Sequence, residues 1–334
     1  MQQPSLLECY QGAMVGTHYG DSMGAPVEWQ TPDYVAEYFA KAGGYHFHDY
    51  LDPWAIRRGK EPTLVSAGQA TDDSELAAAL AQSLIAHPNW SALDLYERLR
   101  RFIHGRKAIL SDRAYGQGGT LKKALEPETY NESFRKFANN EIPTPPTNGS
   151  LMRCIATPLR SYPDKTQTAY FAAVQSNVTH RNPECVSACV AFSLTVGNVL
   201  SGMAPRQAWE ATKKEIGDPN SKLVRTVGLS NILAIEPTKP DFQTEMHNEK
   251  GEQIFGSVVL SLRIALWAAA EATSFEDGII KAISIGGDTD TYGAIAGGIL
   301  GAHFGIESIP ERNALLGGDI MLNLADRLYE IAHS

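Results

Sequence analysis

The most constraining stretch of this chain is residues 284–305, SIGGDTDTYGAIAGGILGAHFG. Gly286 and Gly287 interrupt whatever precedes them. Asp288 and Asp290 then alternate with Thr289 and Thr291, and a run of small apolar residues follows. Asp and Thr are favoured at a helix start, where their oxygens accept from free backbone N–H groups and a carboxylate meets the positive end of the dipole. The run behind them is dense in glycine (Gly293, Gly297, Gly298, Gly301), a poor helix former. Such a helix makes sense where it must lie very close to its neighbours. The pattern predicts a packed central helix that opens with oxygen ligands.

A cap needs one acidic residue, and this helix start has two. A plain, doubly acidic N-cap is the ordinary reading of one such motif. A second motif weighs against it: Thr71, Asp72, Asp73 and Ser74 open another helix, again behind a glycine-containing loop at Gly68. Four carboxylates brought together repel, and some stay protonated unless cations neutralise them. Hard oxygen donors without His or Cys suit Mg²⁺ or Mn²⁺ better than Zn²⁺. Several bridging carboxylates suit two ions roughly 3.5–4 Å apart. The paired helix starts are therefore a candidate metal site, with simple capping as the alternative.

The remaining pattern is helical. Apolar spacing and cap residues predict helices over 6–20, ended by Gly20 and Asp21, and over 33–41, 74–87 and 91–104. Further helices are predicted over 166–177, from Asn182 toward Leu200, and over 205–216, 254–272 and 318–333. No stretch alternates convincingly as a strand, so the expected class is all-α. The two acidic motifs must meet, which favours one domain over the whole of residues 1–334. The segment 43–70 is long for a connection, which hints at function.

With 43% hydrophobic residues the 334-residue chain can bury a sizeable core. A formal net charge of −9 argues against a nucleic-acid footprint or an anionic membrane surface. Cys9, Cys154, Cys185 and Cys189 lack zinc spacing and are expected to be reduced core thiols. No apolar run is expected to reach transmembrane length, and a cytoplasmic location is the expectation.

Other candidate chemistry lies in loops. Glu28, in GDSMGAPVEW, is a candidate acid/base or metal ligand, although a lone loop carboxylate is more often solvated. Asp21 is expected to terminate the first helix. Asn148, Gly149 and Ser150 lead into a helix whose free N–H groups would suit a phosphate, or form an ordinary turn. His180 precedes the Asn182 cap, and Arg153 is a candidate for reaching a phosphate, although an internal salt bridge is the commoner fate. The loop 115–120, YGQGGT, follows no strand, which disfavours a dinucleotide-binding fold. G-x-S-x-G, the P-loop and H-E-x-x-H are all missing, excluding the most recognisable hydrolase, NTPase and zinc-protease classes.

Taken in order, GTHYGDSMGAPVEW, ATDDSELA, TNGSLMRCIATPL, VTHRNPE and SIGGDTDTYGAIAGGILGAHFG resemble the ADP-ribosylglycohydrolases, from Gly12 to about Pro310. The resemblance implies an all-α, single-domain, multi-helix bundle with a binuclear Mg²⁺ or Mn²⁺ centre. It implies ligands at Thr71, Asp72, Asp73, Asp288, Asp290 and Thr291, with Asp290 bridging. Glu28 would be the proton-transferring carboxylate, with Asp290 as runner-up. The loop 148–153, including Asn148, Gly149, Ser150 and Met152, would hold the diphosphate, with His180 beside the ligand and Gly116 and Gly118 in a glycine loop at the substrate. The implied activity is cleavage of the C1″ glycosidic bond of an ADP-ribosylated protein, at arginine before serine, releasing ADP-ribose. A two-metal phosphoesterase and a non-catalytic ADP-ribose-binding relative are the alternatives. The expected partners are the modified protein and ADP-ribose, with no nucleic acid, no membrane, and a monomeric enzyme.

Overall fold

The computed structural model describes residues 3–105, 108–112, 115–218, 229–248 and 250–334. Seventeen α-helices lie among these residues, with one antiparallel pair of two-residue strands, Tyr50–Leu51 and Leu64–Val65. The all-α expectation holds. The small hairpin lies in the segment 43–70, together with the short helix Pro53–Arg57.

Two helices, Leu6–Gly24 and Thr289–Phe304, form the centre. They pack antiparallel at backbone contact, through glycines spaced four apart on both. A Cβ added at Gly12, Gly16, Gly20 or Gly24 would fall 1.9–2.4 Å from the carbonyl oxygens of Gly301, Gly297, Gly293 and Thr289 respectively. Only glycine permits this approach, which lets Cα–H groups meet carbonyls across the interface. Gly20, expected to end the first helix, instead belongs to its contact face. That helix therefore continues past Gly20 to Gly24.

Around the pair, Asp72–Ala86, Pro183–Leu200 and Val258–Ala270 are buried on nearly every side. Outer helices bury one stripe each. In Ala92–Gly105 that stripe is Leu95, Tyr96, Leu99, Phe102 and Ile103, the helical repeat of an amphipathic element. One continuous core of buried apolar side chains runs from Cys9 to Leu328. Pro183–Leu200 corrects the expectation that no apolar run reaches membrane-spanning length. Its 18 residues are long and apolar enough by composition, and 83% of that window is buried inside the protein.

Most helix bounds fall within a few residues of expectation. The helix Tyr130–Ala138 was not expected. It is capped by Thr129 and buries only Ser133 and Phe137, too little for a periodic signal. All four cysteines are buried and free.

Candidate metal centre and active site

The glycine contact sets the geometry of the site. It brings the last turns of Leu6–Gly24 against the first turn of Thr289–Phe304, so Asp21, next to Gly20, lies near Asp290. Asp21 is no terminator. Its carboxylate accepts from the backbone N–H groups of Thr71 (3.1 Å) and Ser74 (3.0 Å) and from their hydroxyls (2.7 and 2.5 Å). One helix thereby supplies the anion for the N-terminus of another, Asp72–Ala86, and holds the TDDS motif in place.

Within that motif Thr71 is the N-cap, its hydroxyl accepting from the Asp73 N–H at 3.3 Å. The Asp72 carboxylate is seated by the glycine loop. Gly118 N–H donates to it at 3.4 Å, and Gly116, at φ +74°, approaches so closely that a Cβ would lie 2.2 Å from Asp72 Oδ1. Asp73 Oδ1 is buried without a hydrogen-bond partner.

The second acidic start departs from simple capping. Asp288 is the N-cap residue, yet its side chain makes no cap bond. Its Oδ2 accepts instead from Asn148 Nδ2 at 2.7 Å, and the same amide nitrogen donates to Ser261 Oγ at 2.9 Å. Asp290 Oδ1 accepts from the Thr291 N–H at 2.8 Å. The Glu28 loop is fastened beside them by an antiparallel bridge. Trp29 N–H donates to the Gly287 carbonyl at 2.6 Å, and Gly287 N–H to the Gln30 carbonyl at 2.8 Å. Trp29 takes φ +65°, a costly conformation for a bulky residue and one concentrated at functional sites. The Glu28 oxygens each accept an indole N–H, one from Trp29 and one from Trp54.

Two groups of three carboxylates result: Asp21, Asp73 and Asp290, and Glu28, Asp288 and Asp290. In each, one oxygen per residue lies within 4.8 Å of the others, and Asp290 belongs to both. All are buried, and burial is the leading cause of their altered acidity. Glu28, Asp73 and Asp290 are pushed well above the usual carboxylate range by burial and then by neighbouring carboxylates. Asp72 is raised to about 7 by burial and then Asp21, and Asp21 to about 6 by burial against the bonds from Ser74 and Thr71. Asp288 is raised by burial, with the Asn148 amide opposing. This is the signature of anions lacking a counter-charge. Crowded carboxylate oxygens, one of them unpartnered, fit a hard divalent cation.

A cleft of about 230 Å³ opens onto the cluster. Of the expected residues, Glu28, Asp72, Asp73, Asp288, Asp290, Thr291, Gly118, Asn148, Gly149, Met152 and His180 line it. Thr71, the N-cap of Asp72–Ala86, and Gly116, against Asp72, are not part of that lining. Ser150 and Arg153 are not part of this lining. Residues 148–150 form a single 3₁₀ turn, with the six-residue helix Ala156–Ser161 following only after further turns. Ser150 faces inward, its hydroxyl bonded to Ser176 Oγ at 2.9 Å. Arg153 is buried in bonds to Gln175, Thr179 and the Gly149 carbonyl, with no salt bridge among the described residues. His180 packs on Gly149, where a Cβ would meet its ring at 2.8 Å. Burial, then Arg153, lowers it to about 3, so the ring is neutral. Trp54 and the part played by Asp21 escaped the sequence reading. Four-residue glycine spacing ending beside Asp21 was the available signal for the latter, and Trp54 had none.

Residues 2–334 match the family model described as ADP-ribosylglycohydrolase. An ADP-ribosylarginine hydrolase, Tri1, of Serratia proteamaculans (strain 568) is 24% identical over 98% of this chain and 80% of its own length. The ADP-ribosyl-[dinitrogen reductase] glycohydrolase of Rhodospirillum rubrum is 25% identical over 93% of this chain and 90% of its own. A solved ADP-ribosylglycohydrolase-related protein complex superposes with a TM-score of 0.69 at 25% identity, covering 98% of this chain and 99% of that one. A buried carboxylate cluster at converging helix starts, in a matching all-α frame, agrees with these likenesses, and the chain belongs to the ADP-ribosylglycohydrolase family of hydrolases.

Proposed function

We propose that the cleft cleaves the C1″ glycosidic bond of ADP-ribosylated protein side chains, arginine before serine, releasing ADP-ribose with the help of two Mg²⁺ or Mn²⁺ ions. The observation that carries this reading is Asp290, common to both three-carboxylate groups in one cleft. Thr71, Asp72, Asp73, Asp288, Asp290 and Thr291 would hold the ions. Asp21, a member of the first group, also accepts from Thr71 and Ser74 and so positions the motif. The ions would supply positive charge to fix the ribose hydroxyls and make water a nucleophile at neutral pH.

The protein's own residues supply the rest. Departure of the leaving side chain creates an oxocarbenium-like carbon, as in other glycoside hydrolyses. Carboxylates at the cleft floor stabilise it electrostatically. Glu28 moves the proton. Its indole donors fix the carboxyl group in one orientation, while burial and the Asp288 and Asp72 charges raise its affinity for a proton. Asn148 orients Asp288. Gly149, Met152 and the neutral His180 line the side proposed for the diphosphate.

The test is a panel of arginine- and serine-linked ADP-ribosylated proteins incubated with Mg²⁺, with Mn²⁺ and after chelation, with products identified by mass spectrometry. Metal-dependent release of ADP-ribose is expected. Release of AMP, or full turnover after chelation, would overturn the reading.

A further inference from the structure

Behind the Glu28–Trp29 wall lies a second depression of about 780 Å³, more than three times the cleft. Glu28 and Trp29 form part of both walls, so the two spaces are neighbours across one residue layer. The outer groove is built by the helix Pro32–Lys41 and the segment 48–64, with its hairpin and short helix. Its lining is unusual for a surface. Tyr34, Leu51, Ile56 and Leu64 are 45%, 52%, 55% and 65% exposed, half of the eight large apolar side chains left exposed among the described residues. Apolar residues gathered in one groove mark an interaction site, whereas singly scattered ones carry no such meaning. The groove rim also carries Arg57, cationic on an acidic protein, with its guanidinium 5.1 Å from the centre of the Trp29 ring.

We infer that this groove docks the polypeptide that bears the modification, an extended segment whose apolar side chains cover Leu51, Ile56 and Leu64 while the modified residue reaches past Trp29 into the cleft. The inference rests on the proposed activity and adds to it. The cleft beyond Glu28 has the carboxylate cluster at its floor and is the side that takes the reacting sugar in the proposed activity. The polypeptide attached to that sugar must leave on a side with room for it, and the groove sharing the Glu28 wall is such a side. Part of substrate choice is thereby made at apolar contacts away from the reacting bond.

The experiment compares wild type with Ile56→Glu and Leu64→Glu, both on exposed positions. Two substrates of one linkage are used: a folded arginine-ADP-ribosylated protein and free ADP-ribosylarginine. The expected result is KM for the modified protein raised about fivefold or more, the effect of losing an interface contact of ordinary importance, with kcat and the ADP-ribosylarginine kinetics unchanged. Unchanged KM for the protein, or equal losses on both substrates, would overturn the inference. So would a wild-type dimer that either substitution converts to monomer in light scattering, since the groove would then be covered by a second copy. Failure of wild type to turn over either substrate would instead sink the proposed activity, and the two failures are distinguishable.

Discussion

Gly297→Ala tests the physical basis of the site. The added Cβ would lie 2.0 Å from the Gly16 carbonyl oxygen. A carbon–oxygen contact needs about 3.3 Å, so the two central helices must separate by about 1 Å at that level. Overpacking costs roughly 1–3 kcal/mol. Here the obstacle is backbone, with further close contacts in series, so about 3 kcal/mol is expected. Gly197→Ala is the control: it lies inside Pro183–Leu200 with nothing within 4 Å of an added Cβ. Alanine there should add about 1 kcal/mol through helix propensity. At about 2 °C per kcal/mol, calorimetry should show Tm falling about 6 °C for the first and rising about 2 °C for the second. Position along the contact gives a second readout. Gly293 is three residues beyond Asp290, whereas Gly301 is eleven residues on, about 16 Å along the helix. Gly293→Ala should lose the Mg²⁺-induced rise in Tm, and Gly301→Ala should keep most of it. Equal Tm shifts for Gly297→Ala and Gly197→Ala would refute the close-approach argument.

Asp290→Asn should abolish turnover and Mg²⁺ binding by isothermal titration, yet raise the Tm of the metal-free protein, because it removes the carboxylate shared by both repelling groups. Metal-free stability should fall as pH rises from about 4 to 7. Asp21 and Asp72 are raised to about 6 and about 7 from 3.8, so the folded state holds protons that the unfolded chain has released, and ionisation then favours unfolding. Urea midpoints across that window should decline with a chelator present and flatten with saturating Mg²⁺. Trp54→Phe deletes one of the two indole donors that lower the Glu28 pKa. It should move the Glu28-linked limb of the kcat/KM profile to higher pH and reduce kcat about tenfold, with helical content unchanged by circular dichroism.

Residues that act through their own local sequence were legible in the chain. Thr71 sits at a cap, Asp288 and Asp290 at a helix start, and the small-residue run behind them was read as a sign of close packing, as found. What escaped depends on partners distant in the chain. Gly20 and Gly24 look like a helix end until the matching face of Gly293 and Thr289 is set against them, and the sequence alone therefore stops the first helix at Gly20 and makes Asp21 its terminator. Ser150 and Arg153 sit in a motif that reads as a phosphate seat, but the helix Lys165–Asn177 covers them from behind through Ser176 and Gln175. Trp54 lies in a segment without periodicity, and only its arrival at Glu28 gives it a role.

Charge balance links this scaffold to the proposed pair of ions. Asp21, Glu28, Asp72, Asp73, Asp288 and Asp290 are six buried carboxylates, formally −6. None of them is in an ion pair with Lys, Arg or His among the described residues. The starts of Asp72–Ala86 and Thr289–Phe304 each contribute about half a positive charge, about +1 together. One divalent cation would leave about −3, which protons must still cover, whereas two leave about −1, a residue that the indole and amide donors around Glu28 and Asp288 can support. Backbone contact between the central helices is what keeps such a cluster from relieving itself by moving apart. A looser interface would let Asp21 and Asp290 separate and take up water, and the drive to bind cations would be lost with the repulsion that creates it.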